Sequence, residues 1–162
     1  MASPIYRFNL LTAIFVLMLS FNSLAAPAPD WTLQDAKGNS VSLQDYRGKV
    51  VILHFWATWC PYCKRLQPGL DKLYSEYKDK GVELVSISFA EDEGAEPQKS
   101  IDERGHHFKT LLLGDEVAKK YQVSGTPTTF FIDKKGELVA VTHTSNPDEP
   151  GMRKIIEQLL KS

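Results

Sequence analysis

Of the 162 residues, 43% are hydrophobic and 24% are charged, which is enough apolar matter for one globular domain and excludes a repeat array or a disordered polymer. Against 19 Lys and Arg stand 20 Asp and Glu, a formal net charge of −1, so there is no basic excess to neutralise a phosphate backbone and nucleic acid is not an expected partner. The 2 cysteines, Cys60 and Cys63, permit one intramolecular disulfide at most, and closing so small a loop points the pair towards chemistry more than stability.

In chain order, residues 1–25 carry one charge, Arg7, then the apolar stretch Phe8 to Phe21, then a small-residue exit at Ser23, Leu24 and Ala25. This is the pattern of an export signal. The apolar stretch is shorter than the roughly 20 residues of a spanning helix and is interrupted by Asn9 and Thr12. Cleavage after Ala25 is expected, with an uncleaved membrane anchor as the alternative. The chain therefore divides into 1–25, signal or anchor, and 26–162, the folded domain. Outside the cytosol disulfides persist, so a Cys-x-x-Cys there must either manage its own oxidation state or bind a metal.

Trp31 to Gln34 and Ser40 to Leu43 flank a turn-forming cluster from Asp35 to Asn39 and predict an N-terminal hairpin. Val50 to Trp56, VVILHFW, predicts a central strand covered on both faces, and it delivers the chain to Cys60. From Pro61, the series Leu66, Leu70, Leu73, Tyr74 and Tyr77 predicts an amphipathic helix that ends near Gly81 and kinks at Pro68. A second buried strand follows over Glu83 to Phe89, then an acidic loop, Glu91 to Glu96, whose Glu91-Asp92-Glu93 run reads as solvated or, near the cysteine pair, as a selector of basic substrates, and a helix over Gln98 to Arg104. The strand, helix, strand order implies a parallel crossover. His106 and His107 read as a solvent-exposed pair in a loop. Asp115 is placed as the cap of a short helix to Tyr121. Thr128 to Ile132 and Glu137 to Val141 predict an antiparallel pair joined by Asp133-Lys134-Lys135-Gly136. The last helix, from Pro150, buries Met152, Ile155, Ile156, Leu159 and Leu160.

This layout puts Cys60 where a buried strand turns into a helix, so its sulfur meets unpaired backbone N–H groups and the positive end of the helix dipole. Both favour thiolate, and an exposed Cys60 is the expected nucleophile. Cys63, one turn further and shielded, is placed to attack the mixed disulfide that results. Pro61 suits the first helical turn, where its missing N–H would have had no partner.

The stretch Phe55-Trp56-Ala57-Thr58-Trp59-Cys60-Pro61-Tyr62-Cys63 resembles the active site of thioredoxin-fold proteins, and of the exported TlpA-like thiol-disulfide oxidoreductases in particular, a group related to the alkyl hydroperoxide reductase/thiol-specific antioxidant proteins. Pro29-Asp30-Trp31-Thr32-Leu33, Gly48-Lys49-Val50-Val51, Pro68 and Gly125-Thr126-Pro127-Thr128-Thr129-Phe130 match that group in type and order. The resemblance covers roughly residues 27 to 162. It implies an α/β thioredoxin fold, a central mixed β-sheet flanked by α-helices, with the N-terminal hairpin as an extension. It further implies that Pro127 is a cis-proline facing the disulfide, and that Trp59, Pro61, Tyr62, Thr126 and Pro127 form a substrate groove. Function follows as an expectation: a protein-disulfide reductase in the periplasm, free or membrane-anchored, with client protein thiols and disulfides as substrates and a membrane thiol donor to recharge it. Cytochrome c maturation is among the roles the group serves. No cofactor or metal is expected.

Two positions depart from the pattern. Thioredoxins place a buried carboxylate six residues before the first cysteine, where this chain has His54, and many TlpA-like proteins have a glutamate where Leu66 stands. His54 reads either as a neutral core histidine bonded to backbone or as a base that takes the Cys63 proton during resolution. Two other functions compete with the reductase. A copper chaperone could use both thiolates and a histidine such as His143. A peroxidase of the peroxiredoxin kind would need a proline shortly before the cysteine, and His54 to Trp59 contains none.

Overall fold

The computed structural model describes residues 26–162, and the expected export segment lies outside the described residues. The strands in chain order are β1 (Ala26–Pro27), β2 (Thr32–Asp35), β3 (Ser40–Ser42), β4 (Val50–Trp56), β5 (Val82–Ser88), β6 (Lys109–Leu112), β7 (Thr128–Ile132) and β8 (Glu137–Thr142). The helices are α1 (Pro61–Tyr77), α2 (Pro97–Asp102), α3 (Asp115–Lys120) and α4 (Pro150–Lys161). All eight strands join one mixed sheet in the order β1-β8-β7-β4-β5-β6-β2-β3.

Every residue of β4 is buried, as an unbroken apolar run requires when helices or loops cover both faces. It pairs in parallel with β5, which pairs in parallel with β6, while β7 lies antiparallel on its other side. Alternate side chains serve two cores. Val50, Ile52 and Trp56 pack with Cys60, Cys63, Leu66 and Leu70 of the α1 side and with Met152 and Ile156 of α4. Val51, Leu53 and Phe55 pack on the opposite face with Trp31, Leu111, Val117 and Tyr121.

The hairpin of β2 and β3 forms as expected, its turn tied by the Asp35 carboxylate, which accepts from the backbone N–H of Lys37 and Asn39 at 2.9 and 3.0 Å. Its place is set by the fold: β2 pairs with β6 at the sheet's edge, and no sequence pattern marks β6 as a strand. The first long helix runs through Pro68 as one element to Tyr77, and a 3-10 turn, Lys78–Lys80, leads to Gly81 at φ +88°. Asp115 is not the cap of α3. Gly114 takes that position because a Cβ there would stand 2.1 Å from the Ile87 side chain, and the Asp115 carboxylate turns outward to accept from Ala90 N–H at 3.0 Å. His106 and His107 are not an exposed pair either. The His106 side chain is 8% exposed, stacked on Phe108, while the exposed His107 bonds Asp71 through its backbone N–H at 2.7 Å and its ring at 3.0 Å. Stacking on Phe108 covers one imidazole and leaves its neighbour in water.

Candidate active site

After Trp56 the chain leaves the sheet in a tight turn, with Cys60 N–H donating to Ala57 C=O at 3.1 Å, and Cys60 becomes the N-cap of α1. Pro61 follows as the first helical residue, where no donor is needed. The Sγ of Cys60 accepts from Cys63 N–H at 3.1 Å, so one orphan donor of the helix terminus is spent on the sulfur. The two cysteines form a disulfide with Cα atoms 5.4 Å apart. That N–H and the helix dipole stabilise negative charge on Cys60 once the disulfide opens.

The sequence predicts an exposed Cys60, but in the disulfide form it is 1% exposed and Cys63 is wholly buried. Bonded to Cys63, the sulfur is turned into the cluster of Trp56, Ala57 and Leu66 and away from solvent. Its neighbours are the exposed groups: Trp59 at 51%, Tyr62 at 55%, and Pro61. Thr126 is half-buried and Pro127 buried, and the bond between them is cis. Thr128 pairs with Phe55, so the start of β7 and the end of β4 lie side by side, which brings Thr126 and Pro127 to the same end of the sheet as Cys60.

His54 faces the same side of β4 as Ile52 and Trp56, the side that packs under α1. It is fully buried, and its Nδ1 lies 3.0 Å from the hydroxyl of Thr129, its partner across the β4–β7 ladder, where the sequence reading expected a backbone partner. Burial pushes its pKa down to about 3, so the imidazole is neutral near pH 7. Its Nε2 has no hydrogen-bond partner among the described residues. Leu66, in the place of the group's glutamate, is buried in the core.

Sequence reasoning missed two polar groups here. Gln67, one turn after Cys63 on the same helix and fully buried, accepts from Arg104 at 2.6 Å, and the Arg104 guanidinium lies 5.5 Å from the centre of the Trp56 ring. The indole N–H of Trp56 donates to Thr110 Oγ1 at 3.0 Å. A polar residue within an amphipathic stripe was the available signal for Gln67. The second group is Glu91, whose run reads from the sequence as solvated or as a selector of basic substrates, but not as a partner of Thr58. Its carboxylate accepts from the backbone N–H of Thr58 at 3.0 and 3.1 Å and from the Thr58 hydroxyl at 2.5 Å. Next to it, Ala90 C=O accepts from the Trp59 indole at 2.8 Å. No sequence spacing links residues 33 positions apart, so nothing short of the fold revealed this contact.

His143, the candidate third ligand of a copper site, sits with Nδ1 3.0 Å from Thr128 Oγ1. Among the described residues no group of three or more His, Cys, Asp or Glu side chains gathers in a metal-binding arrangement, and no helix is long and apolar enough to cross a membrane.

Comparison with known proteins gives consistent findings. The AhpC/TSA family model matches residues 24–141. A thiol-disulfide oxidoreductase ResA from Geobacillus kaustophilus is 40% identical over 121 residues, 72% of this chain and 67% of that protein. The ResA of Halalkalibacterium halodurans is 37% identical over 131 residues, 80% of this chain and 73% of its own. Among solved structures, a Chlorobium tepidum protein described as a thiol:disulfide interchange protein DsbE superposes with a TM-score of 0.76 at 29% identity, covering 84% of this chain and 96% of its own. The thioredoxin domain of a Bacteroides vulgatus thiol-disulfide oxidoreductase gives 0.70 at 31% identity, covering 82% and 96%.

Proposed function

Because the chain belongs to the AhpC/TSA family and is a thiol-disulfide oxidoreductase of thioredoxin fold, we propose that it reduces protein disulfides outside the cytosol by exchange at Cys60 and Cys63. In the reduced protein the Cys60 thiolate attacks one sulfur of a client disulfide. That S–S bond breaks, a mixed disulfide with Cys60 forms, and the released client thiolate takes a proton from solvent. Cys63 then loses its proton and attacks the Cys60 sulfur. The mixed disulfide breaks, the second client thiol leaves, and two electrons have passed from the Cys60/Cys63 pair to the client, leaving the disulfide form. A dithiol donor on the membrane would return the pair to the reduced state.

The observation that carries this reading is the Cys63 N–H held 3.1 Å from the Cys60 sulfur at the head of a 17-residue helix. It supports Cys60 as the sulfur that holds charge and attacks. Trp59, Pro61 and Tyr62 on one side and Thr126 with Pro127 on the other form the groove for an extended client segment, which the free backbone of Thr126 would pair as a strand.

The test is a trap. Cys63→Ser, offered a protein disulfide, should accumulate a mixed disulfide through Cys60 that is visible by mass, whereas Cys60→Ser should accumulate none. Trapping by Cys60→Ser and not by Cys63→Ser would reverse the assignment of nucleophile.

A further inference from the structure

The residues before Cys60 are held by a group that belongs to neither the helix nor the disulfide. Both oxygens of Glu91 lie on Thr58: 3.0 and 3.1 Å from its N–H, and Oε2 also 2.5 Å from its hydroxyl. One residue earlier, Ala90 takes the Trp59 indole on its carbonyl and is itself tied to α3, where the Asp115 carboxylate accepts its N–H at 3.0 Å. Ala90 has φ +51°, a left-handed backbone uncommon for a residue with a side chain, and it turns the chain so that its carbonyl and Glu91 both address the Thr58-Trp59 segment. Glu91 is half-buried where Asp92 and Glu93 are exposed. A carboxylate that accepts three contacts from one residue fixes the position of that residue, and this residue stands two places before the nucleophile.

We propose that Glu91 is a positioning residue for disulfide exchange. Acting through Thr58, it fixes the relation between Trp59 and Cys60, and its negative charge opposes the thiolate that the helix terminus favours. The inference rests on the exchange reading above. The charge effect has a definite sign: an anion near Cys60 destabilises the thiolate, keeps the thiol pKa higher than the helix terminus alone would set it, and makes the pair more reducing.

Three variants of the full chain separate the parts. Glu91→Gln keeps an oxygen for Thr58 N–H and an NH2 for the hydroxyl but removes the charge. Glu91→Ala removes both. Asp92→Asn makes the same change of net charge on the exposed neighbour. The readouts are the pH midpoint of Cys60 alkylation in reduced protein, the dithiol/disulfide equilibrium constant against glutathione, and the rate of reduction of insulin disulfides. Glu91→Gln should lower the midpoint by about half a pH unit and shift the equilibrium about threefold towards the dithiol, about 14 mV, while keeping the rate within about threefold. Glu91→Ala should give the same shifts and lose about tenfold in rate, since a misplaced reacting group is expensive. An unmoved midpoint in Glu91→Gln, or an equal shift in Asp92→Asn, would overturn the assignment, whether or not Glu91→Ala folds. Wild-type protein in the same assay keeps the two readings apart: no exchange by wild type defeats the oxidoreductase reading, whereas active wild type with indifferent Glu91 variants defeats only this one.

Discussion

At the scale of single residues, the most consequential departure from the family pattern is an imidazole where a carboxylate is expected. With a pKa pushed from 6.5 to about 3 by burial, folded His54 refuses a proton that the unfolded chain accepts. Its stabilising contribution is whole above about pH 6.5 and is lost as pH falls towards 3, with a slope of up to about 1.4 kcal/mol per pH unit from this one group. Urea midpoints measured from pH 7 to pH 4 should therefore fall less steeply for His54→Leu than for wild type. Equal slopes would mean that the folded imidazole does titrate. An imidazole that stays neutral down to about pH 3 is too weak a base to take a thiol proton, so the pH dependence of single-turnover resolution by Cys63 in folded His54→Leu should match wild type, and a changed profile would restore a base role for His54. Its burial was legible in VVILHFW, but its partner Thr129, 75 residues away, was not, because a cross-strand neighbour depends on register. Cys60 shows a similar limit. Its place at a strand-to-helix junction follows from local pattern, while its 1% exposure depends on where the disulfide turns the sulfur.

At the scale of elements, close approaches set the fine structure. Gly69 of α1 backs onto the loop before α4, and a Cβ there would lie 2.1 Å from Pro147 O and 2.7 Å from Pro147 Cα, both backbone atoms that cannot swing aside. Gly69→Ala should cost about 1–3 kcal/mol by denaturant unfolding, because the loop must move, and should leave the exchange rate of the folded fraction near wild type. A neutral effect on stability would mean that the Pro147 loop yields freely. Long periodic elements were readable: β4, α1, β5, the β7–β8 pair and α4 follow from runs and stripes of apolar residues. The failures were short elements. The sequence KTLL of β6 is four residues without alternation or a flanking hairpin signal, and the two residues of β1 are a strand only because β8 pairs with them. The cap of α3 went to Gly114 and not to Asp115 because the crowding against Ile87 is a tertiary fact.

At the scale of the whole molecule, the sheet order explains why the site lies where it does. The C-terminal ends of parallel β4 and β5 and the start of antiparallel β7 meet at one end, and from them come the Thr58 to Cys60 turn, the Ala90-Glu91 loop and Thr126-Pro127. The parallel crossover and the antiparallel β7–β8 pair were foreseeable; the order in which the eight strands join was not. The closure of the N-terminal ribbon on β6 at the far edge was not foreseeable, since its contacts join residues 78 and 76 apart in sequence, Gln34 with Leu112 and Asp35 with Leu111. Under the proposed function this assembly presents one reversible two-electron sulfur couple, poised to donate electrons. The most direct test is the reduction potential of the Cys60/Cys63 pair, by equilibration in redox buffers with mass-shift readout of alkylated thiols. The expected value is near or below about −250 mV, in the range of electron donors of this fold. A value near about −120 mV would make the protein a disulfide donor, and the absence of any reversible couple in folded, metal-free protein would rule out disulfide exchange as its function.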